Sequence, residues 1–146
     1  MEINFHAVVR MTRAFLPHLR AADEARIVNL SSIYGILAPP GQTAYSASKF
    51  AVRGFSNALR HELEGSNVGV TVVHPGGVAT GIVRHARTPA GMDPAEVARR
   101  LRHSEKLLRL PPEKAGEIIV GAIERNRPRV LVGTDARLLA LVERLL

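Results

Sequence analysis

RIVNL at residues 26–30, followed by Ser31 and Ser32, decides the fold class of this chain. The run is short and rich in β-branched residues, and a turn-forming PPG lies beyond it at residues 39–41. Such a run between turn residues is typical of a strand that is buried on both faces. We therefore predict a buried strand that ends at the two serines and continues into a loop.

Helix and strand patterns alternate after this strand. Good helix formers fill residues 43–64, and Gly65 is available to end that helix. VGVTVV at residues 68–73 predicts a second strand, which runs directly into a proline–glycine–glycine loop at residues 75–77.

The remaining segments extend the alternation to both ends of the chain. They predict a mostly apolar helix at residues 5–20, a helix at 111–125, a short strand at 129–132 and an amphipathic helix at 135–146. Strands that alternate with helices of this length indicate a parallel sheet with helices on both faces. We therefore predict one partial α/β domain over residues 1–146, with about three parallel strands.

Residues 82–110 interrupt this alternation. They contain Pro89, Gly91 and Pro94, and then a basic helix with several leucines. Because long connections in compact domains usually cover ligands, we predict that this insertion is a mobile lid.

The composition excludes several classes of protein. The 146 residues include no cysteine, which rules out disulfides, thiolate nucleophiles and cysteine-ligated metals. There is no run of 18 apolar residues, and the first residues form no basic, hydrophobic leader. We therefore predict a protein that is neither secreted nor membrane-bound, and we expect a cytoplasmic location.

The formal net charge of +7 is the outlier of the composition. Much of the excess lies in the insertion, in Arg99, Arg100, Arg102, Lys106 and Arg109. A solvated helix face explains it, and so does contact with a cofactor phosphate or an acidic substrate. Since only 4% of the residues are aromatic, we predict no nucleic-acid partner.

Tyr45 and Lys49 are the centre of the chemical prediction. Four residues apart in a predicted helix, they project from the same face. A nearby ammonium stabilises a phenolate, so such a phenol can exchange a proton with an alcohol or a carbonyl. An exposed helix pair without function is the alternative interpretation.

Ser32 lies thirteen residues before Tyr45, at the predicted carboxyl end of a strand. Ligands of open α/β sheets bind at those ends, and a hydroxyl there can donate to an oxygen that gains negative charge. Ser31 can take the same role if the strand is shifted by one residue, and a serine that only ends the strand is the alternative.

These elements resemble the short-chain dehydrogenase/reductase family. The resemblance rests on Ser32, on AYSASKFAV at residues 44–52 and on PGGVAT at residues 75–80, all in order and at the family's spacing. It extends from the first helix to near the C-terminus, and it implies the C-terminal, catalytic part of a doubly wound, Rossmann-like sheet.

The resemblance implies a role for each matched residue. Tyr45 is then the acid/base, Lys49 stabilises its phenolate and holds the nicotinamide ribose, and Ser32 polarises the substrate carbonyl. Asn4 matches an asparagine that organises a proton-relay water, although a helix cap or turn explains it equally well. Pro75, Gly76, Val78 and Thr80 match the loop that passes the nicotinamide.

The family's glycine-rich cofactor turn has no counterpart in these 146 residues, which contain no G-x-G-x-x-G. A fragment, a reading frame started at an internal methionine, and a natural half-protein each account for this. We expect no turnover by the 146 residues alone, because little would hold the pyrophosphate.

The predicted function is an NAD(P)-dependent oxidoreductase that interconverts a secondary alcohol and a ketone, active as a homo-oligomer in its full-length form. The alternative is an inactive fragment that only pairs subunits or binds anions. We predict no metal site, since the six histidines show no metal-binding spacing. His74 alone is a candidate neighbour of the substrate.

Overall fold

The computed structural model describes residues 1–83, 85 and 91–145. A π-helical turn at Glu2–His6 leads into α1, and a 3₁₀ turn at Ile33–Gly35 follows the first strand. The helices and strands are, in chain order, α1 (Ala7–Ala21), β1 (Ala25–Leu30), α2 (Thr43–Glu62), β2 (Val68–Pro75), α3 (Pro94–Leu107), α4 (Pro112–Glu124), β3 (Arg129–Val132) and α5 (Thr134–Leu145).

The three strands form one parallel sheet in the order β1-β2-β3. Ala25 is paired with Val68 at one end of the sheet, and Pro75 with Val132 at the other. The predicted α/β fold with a three-stranded parallel sheet is confirmed. Because the strands are parallel, their carboxyl ends meet at one edge, and the segments that follow them are brought together there.

The side chains of β2 alternate between two helical layers. Val70 packs with Leu59 of α2 on one face, whereas Val73 packs with Ala115 of α4 on the other. Burying each of these valines contributes roughly 1.5–3 kcal/mol relative to exposure. This two-sided burial explains why β2 reads as a continuous apolar run.

A polar contact fixes α2 against β1. The Asn29 side chain is buried and donates to Ser56 Oγ at 3.0 Å, and Ser56 Oγ donates to the Val52 carbonyl at 2.7 Å. Because α2 carries Tyr45 and Lys49, this contact helps to set their position relative to the end of β1.

Most element bounds differ from the sequence prediction by one or two residues, and two of these differences concern the site. The first helix begins with a π-helical turn at Glu2–His6 rather than at residue 5. β2 extends through Pro75 instead of ending at Val73, because β3 continues to pair with its last two residues.

The insertion at residues 82–110 contains α3, none of whose residues is buried. Residues 84 and 86–90 of the insertion lie outside the described part of the chain. Asp93 caps α3 by accepting from the Ala95 amide at 3.1 Å, with Pro94 in the first turn. Among the described residues, no helix is both long and apolar enough to cross a membrane.

Candidate active site

The candidate site lies where the carboxyl ends of β1 and β2 meet the first turns of α2. Ser32 is the second residue after β1, and Tyr45 and Lys49 lie one helical turn apart near the start of α2. Lys49 lies beside the Tyr45 ring, and Ser32 is connected to that ring through Tyr34, which bonds to Ser32 and packs on Tyr45.

The two serines after β1 have different hydrogen-bond partners. Ser31 is buried, and its hydroxyl donates to the Lys49 carbonyl at 2.8 Å. Ser32 Oγ accepts from the Tyr34 amide at 3.1 Å, which leaves the hydroxyl hydrogen available for another acceptor. Of the two serines, Ser32 is the one that can donate to a ligand.

Lys49 links the end of β1 to the tyrosine. Its ammonium donates to the Leu30 carbonyl at 3.0 Å and lies 5.6 Å from the centroid of the Tyr45 ring. Partial burial lowers the pKa of Lys49 from its ordinary value, because desolvation disfavours the charged form. The Tyr45 ring also meets the Tyr34 ring edge to face, with centroids 6.0 Å apart.

Asn4 reaches the same helix from the π-helical turn. Its amide nitrogen lies 3.2 Å from Ser48 Oγ, and the Ser48 hydroxyl donates to the Tyr45 carbonyl at 2.6 Å. No side-chain cap is formed at this turn, so the structure does not use Asn4 as a helix cap. π-helical turns are rare in proteins, and those that occur are frequently found at functional sites.

A groove of about 490 Å³ opens between α1 and the edge of β1. It is lined by the turn at Asn4, by mostly apolar side chains of α1, by Arg26 to Leu30 along the unpaired edge of β1, and by Lys49. The Lys49 ammonium and the Asn4 carboxamide carry donors of the kind that bind the hydroxyls of a ribose, so these two residues fit the sugar of a nicotinamide cofactor.

The segment after β2 contains the other predicted cofactor residues. The Gly76 amide donates to the Val132 carbonyl at 2.9 Å, so Pro75 and Gly76 remain attached to the sheet. The Val78 amide donates to the Gly76 carbonyl at 3.1 Å, and the side chain of Thr80 is exposed. Pro75 is the last residue of β2, and Gly76, Val78 and Thr80 follow it.

His74 is placed differently from the sequence interpretation. Its side chain is 0% exposed, and Nδ1 donates to the Ser32 carbonyl at 2.9 Å. The pKa of His74 is lowered to about 4, mainly by burial and to a smaller extent by Arg129 and Arg53, while the bond to Ser32 raises it. In this structure His74 lies behind Ser32 and supports its backbone, and it has no open surface for a substrate.

Three contributors to the site were not predicted from the sequence. Tyr34 packs on the Tyr45 ring, Ser48 connects Asn4 to α2, and Asp135 accepts a hydrogen bond from Gly77. Ser48 could have been identified from the sequence, since it lies one residue before Lys49. Asp135 could not have been identified in this way, because it is 58 residues away in the chain from Gly77.

Comparisons with known proteins agree with this architecture. The short chain dehydrogenase family model matches residues 1–91. SadH of Mycobacterium tuberculosis is 40% identical over 148 aligned positions, covering 100% of this chain and 53% of SadH. The 3-ketodihydrosphingosine reductase of Bacteroides thetaiotaomicron is 38% identical, covering 88% of this chain and 50% of the reductase.

A solved structure shares the fold. The short-chain dehydrogenase/reductase from Burkholderia phymatum, determined in complex with NAD, superposes with a TM-score of 0.81 at 30% identity. The match covers 97% of this chain and 54% of the Burkholderia protein. The chain thus spans about half the length of the proteins that it matches. From its fold, its sequence and its family match, the chain belongs to the short-chain dehydrogenase family.

Proposed function

We propose that this chain is the proton-transfer part of an NAD(P)-dependent oxidoreductase that interconverts a secondary alcohol and a ketone. The observation that carries the proposal is the position of the Lys49 ammonium, which lies beside the Tyr45 ring and bonds to Leu30 at the end of β1, two residues before Ser32. The name of the Bacteroides relative, a 3-keto reductase, and the NAD in the Burkholderia structure support the reaction class and the cofactor.

In this proposal Ser32 and Tyr45 act on the substrate oxygen. In the part of the chain that the structure describes, the Ser32 hydroxyl accepts from Tyr34 and donates to no protein group, so it is free to donate to the substrate oxygen as negative charge develops there. The Tyr45 hydroxyl delivers the proton in ketone reduction and removes it in alcohol oxidation. A bound nicotinamide supplies or accepts the hydride.

Lys49 holds two partners in position. Its ammonium lies beside the Tyr45 ring, where its charge favours the phenolate that remains after proton delivery. It also lines the groove, where it can donate to the ribose hydroxyls. Asn4 and Pro75 to Thr80 would line the rest of the cofactor site.

The test uses a chimera in which the 146 residues follow the part of SadH that precedes its matched region. Tyr45→Phe is expected to lower kcat by about 10²–10⁴-fold with the cofactor affinity retained, because only the proton donor is lost. Lys49→Ala is expected to lower both kcat and cofactor affinity. Steady-state kinetics with secondary alcohols and ketones, and a fluorescence titration with NADH and NADPH, measure both.

Tyr34→Phe is the matched control, since it removes the hydroxyl of the only other tyrosine and keeps the ring that packs on Tyr45. It is expected to keep most of the activity. A Tyr45→Phe chimera that remains as active as this control would refute the acid/base role.

A further inference from the structure

The glycine loop, which we define as Gly76–Val78, is held from two sides. The Gly77 amide donates to Asp135 Oδ2 of α5 at 2.6 Å. The Gly77 carbonyl accepts from the amides of Arg109 and Leu110, each at 3.0 Å. Both backbone polar groups of Gly77 are thus bound by segments that are distant in the chain.

The contact with Asp135 requires a close approach of three backbone segments. A Cβ atom at Gly76 or at Gly133 would overlap the Asp135 carboxylate, and one at Gly77 would overlap the Leu107 carbonyl. Gly133 also has a φ of +104°, which a side chain rarely tolerates. Glycine at these positions allows the carboxylate to reach the loop.

The same loop anchors the end of the insertion. The Ala79 amide donates to the Leu110 carbonyl at 2.8 Å, and Val78 forms a parallel bridge with Leu110. The C-terminal end of the insertion is thus hydrogen-bonded to the segment that follows β2. A displacement of Gly77 would therefore move both the loop and the end of the insertion.

We infer that Asp135 is a positioning residue, which fixes the glycine loop from α5 through one charge-assisted hydrogen bond. This inference rests on the proposed function, in which the glycine loop borders the nicotinamide. Asp135 itself touches neither cofactor nor substrate. Its loss should therefore weaken cofactor binding and leave the proton transfer at Tyr45 nearly intact.

Amide exchange on the isotopically labelled 146-residue chain tests the contact, independently of any activity. In Asp135→Ala the Gly77 amide is expected to exchange at least about tenfold faster, because the bond that protects it is lost. The Leu110 amide should also exchange faster, since it donates to the Gly77 carbonyl. Asp135→Asn keeps an acceptor oxygen and should restore the protection. Glu143→Ala, which removes a carboxylate elsewhere on α5, is the control. Unchanged Gly77 exchange in Asp135→Ala would overturn the inference.

The SadH chimera tests the consequence for binding. Asp135→Ala is expected to raise the KM for the cofactor about tenfold with kcat within twofold of the parent, and Asp135→Asn should lie close to the parent. If Asp135→Ala speeds the amide exchange of the glycine loop but leaves the KM for the cofactor unchanged, Asp135 is not a positioning residue. If the parent chimera binds no cofactor, the proposed function fails, and the exchange experiment still decides whether Asp135 holds the loop.

Discussion

At the scale of single residues, the folded structure favours the neutral form of His74. The imidazole is fully buried, donates to the Ser32 carbonyl, and faces Arg129 of β3 and Arg53 of α2. Within the described residues Nε2 has no partner. A second proton there would place a charge in an apolar environment next to two cations, which explains the lowered pKa.

His74 should therefore make stability depend on pH. Its pKa is about 4 in the folded state against 6.5 for an unperturbed histidine, so the unfolded chain binds the proton more tightly. The free energy of unfolding should fall as the pH falls from about 6.5 to about 4, by about 3 kcal/mol from this residue. Urea unfolding of wild type and His74→Asn over this range measures the difference in slope.

The expected result is a shallower pH dependence in His74→Asn, which keeps a donor toward Ser32 and cannot titrate. His103→Asn, which replaces an exposed histidine of α3, should keep the wild-type slope. If His74→Asn and wild type lose stability equally between pH 6.5 and 4, burial does not disfavour the charged imidazole.

The choice between Ser31 and Ser32 as the hydroxyl donor could not be made from the sequence. Spacing alone placed the hydroxyl donor at Ser32 or Ser31, because a shift of one residue exchanges the two faces of a strand. The choice depends on hydrogen bonds to α2 and to Tyr34, which follow from tertiary packing. By contrast, Tyr45 and Lys49 share a helix, so local geometry was sufficient to place them together.

At the scale of elements, α3 and α4 are two helices of similar length with different environments. α4 buries Ala115 and Ala122 against the sheet, whereas α3 buries no residue. Backbone amides of α3 are therefore expected to exchange at least about tenfold faster than those of α4, since few contacts oppose local opening. Hydrogen exchange followed by mass spectrometry measures both helices in one sample.

The exchange of α2 gives the slow reference, because that helix packs on both β1 and β2. In the SadH chimera, cofactor and substrate together should slow α3 and leave α4 unchanged. Equal protection of α3 and α4 in the free chain would contradict the prediction of a lid.

The order of the elements followed from the sequence because apolar periodicity and turn residues are local signals. The boundaries of the elements were less well predicted, and two of them depend on tertiary contacts. β2 extends to Pro75 because β3 pairs with it there, and the chain enters α1 through a π-turn next to α2. Both depend on partners that are distant in the chain.

At the scale of the whole molecule, the 146 residues contain the predicted proton-transfer groups but no glycine-rich phosphate-binding turn. Purified by itself, the chain is expected to bind NADH and NADPH more weakly than about 100 μM and to show no turnover, because in the proposed site Lys49 would hold only the sugar of the cofactor and no phosphate-binding turn is present. Fluorescence titration and assays with ketones and secondary alcohols measure this.

The SadH chimera is the positive control for these assays. Micromolar cofactor binding by the 146 residues alone would mean that the groove between α1 and β1 grips the cofactor without a phosphate-binding turn. Recovery of binding only in the chimera would support the prediction that the 146 residues supply the proton-transfer groups, while the phosphate-binding turn comes from the preceding part of the protein.

The neighbouring positions of β1 and β2 in the sheet also have a consequence for folding kinetics. Ser32, Tyr45 and Lys49 all belong to the single β1-α2-β2 unit, which pairs over Ala25–Leu30 and Val68–Val73. β3 pairs over only Val72–Pro75, after the longer connection at residues 76–128. The longer connection makes closure of the β2–β3 pair entropically more costly than closure of the β1–β2 pair, but only by about 0.3 kcal/mol. We therefore expect the more extensive β1–β2 pairing to determine which pair of strands forms first. The proton-transfer groups should therefore reach their native arrangement early, before β3 and α5 close over the glycine loop.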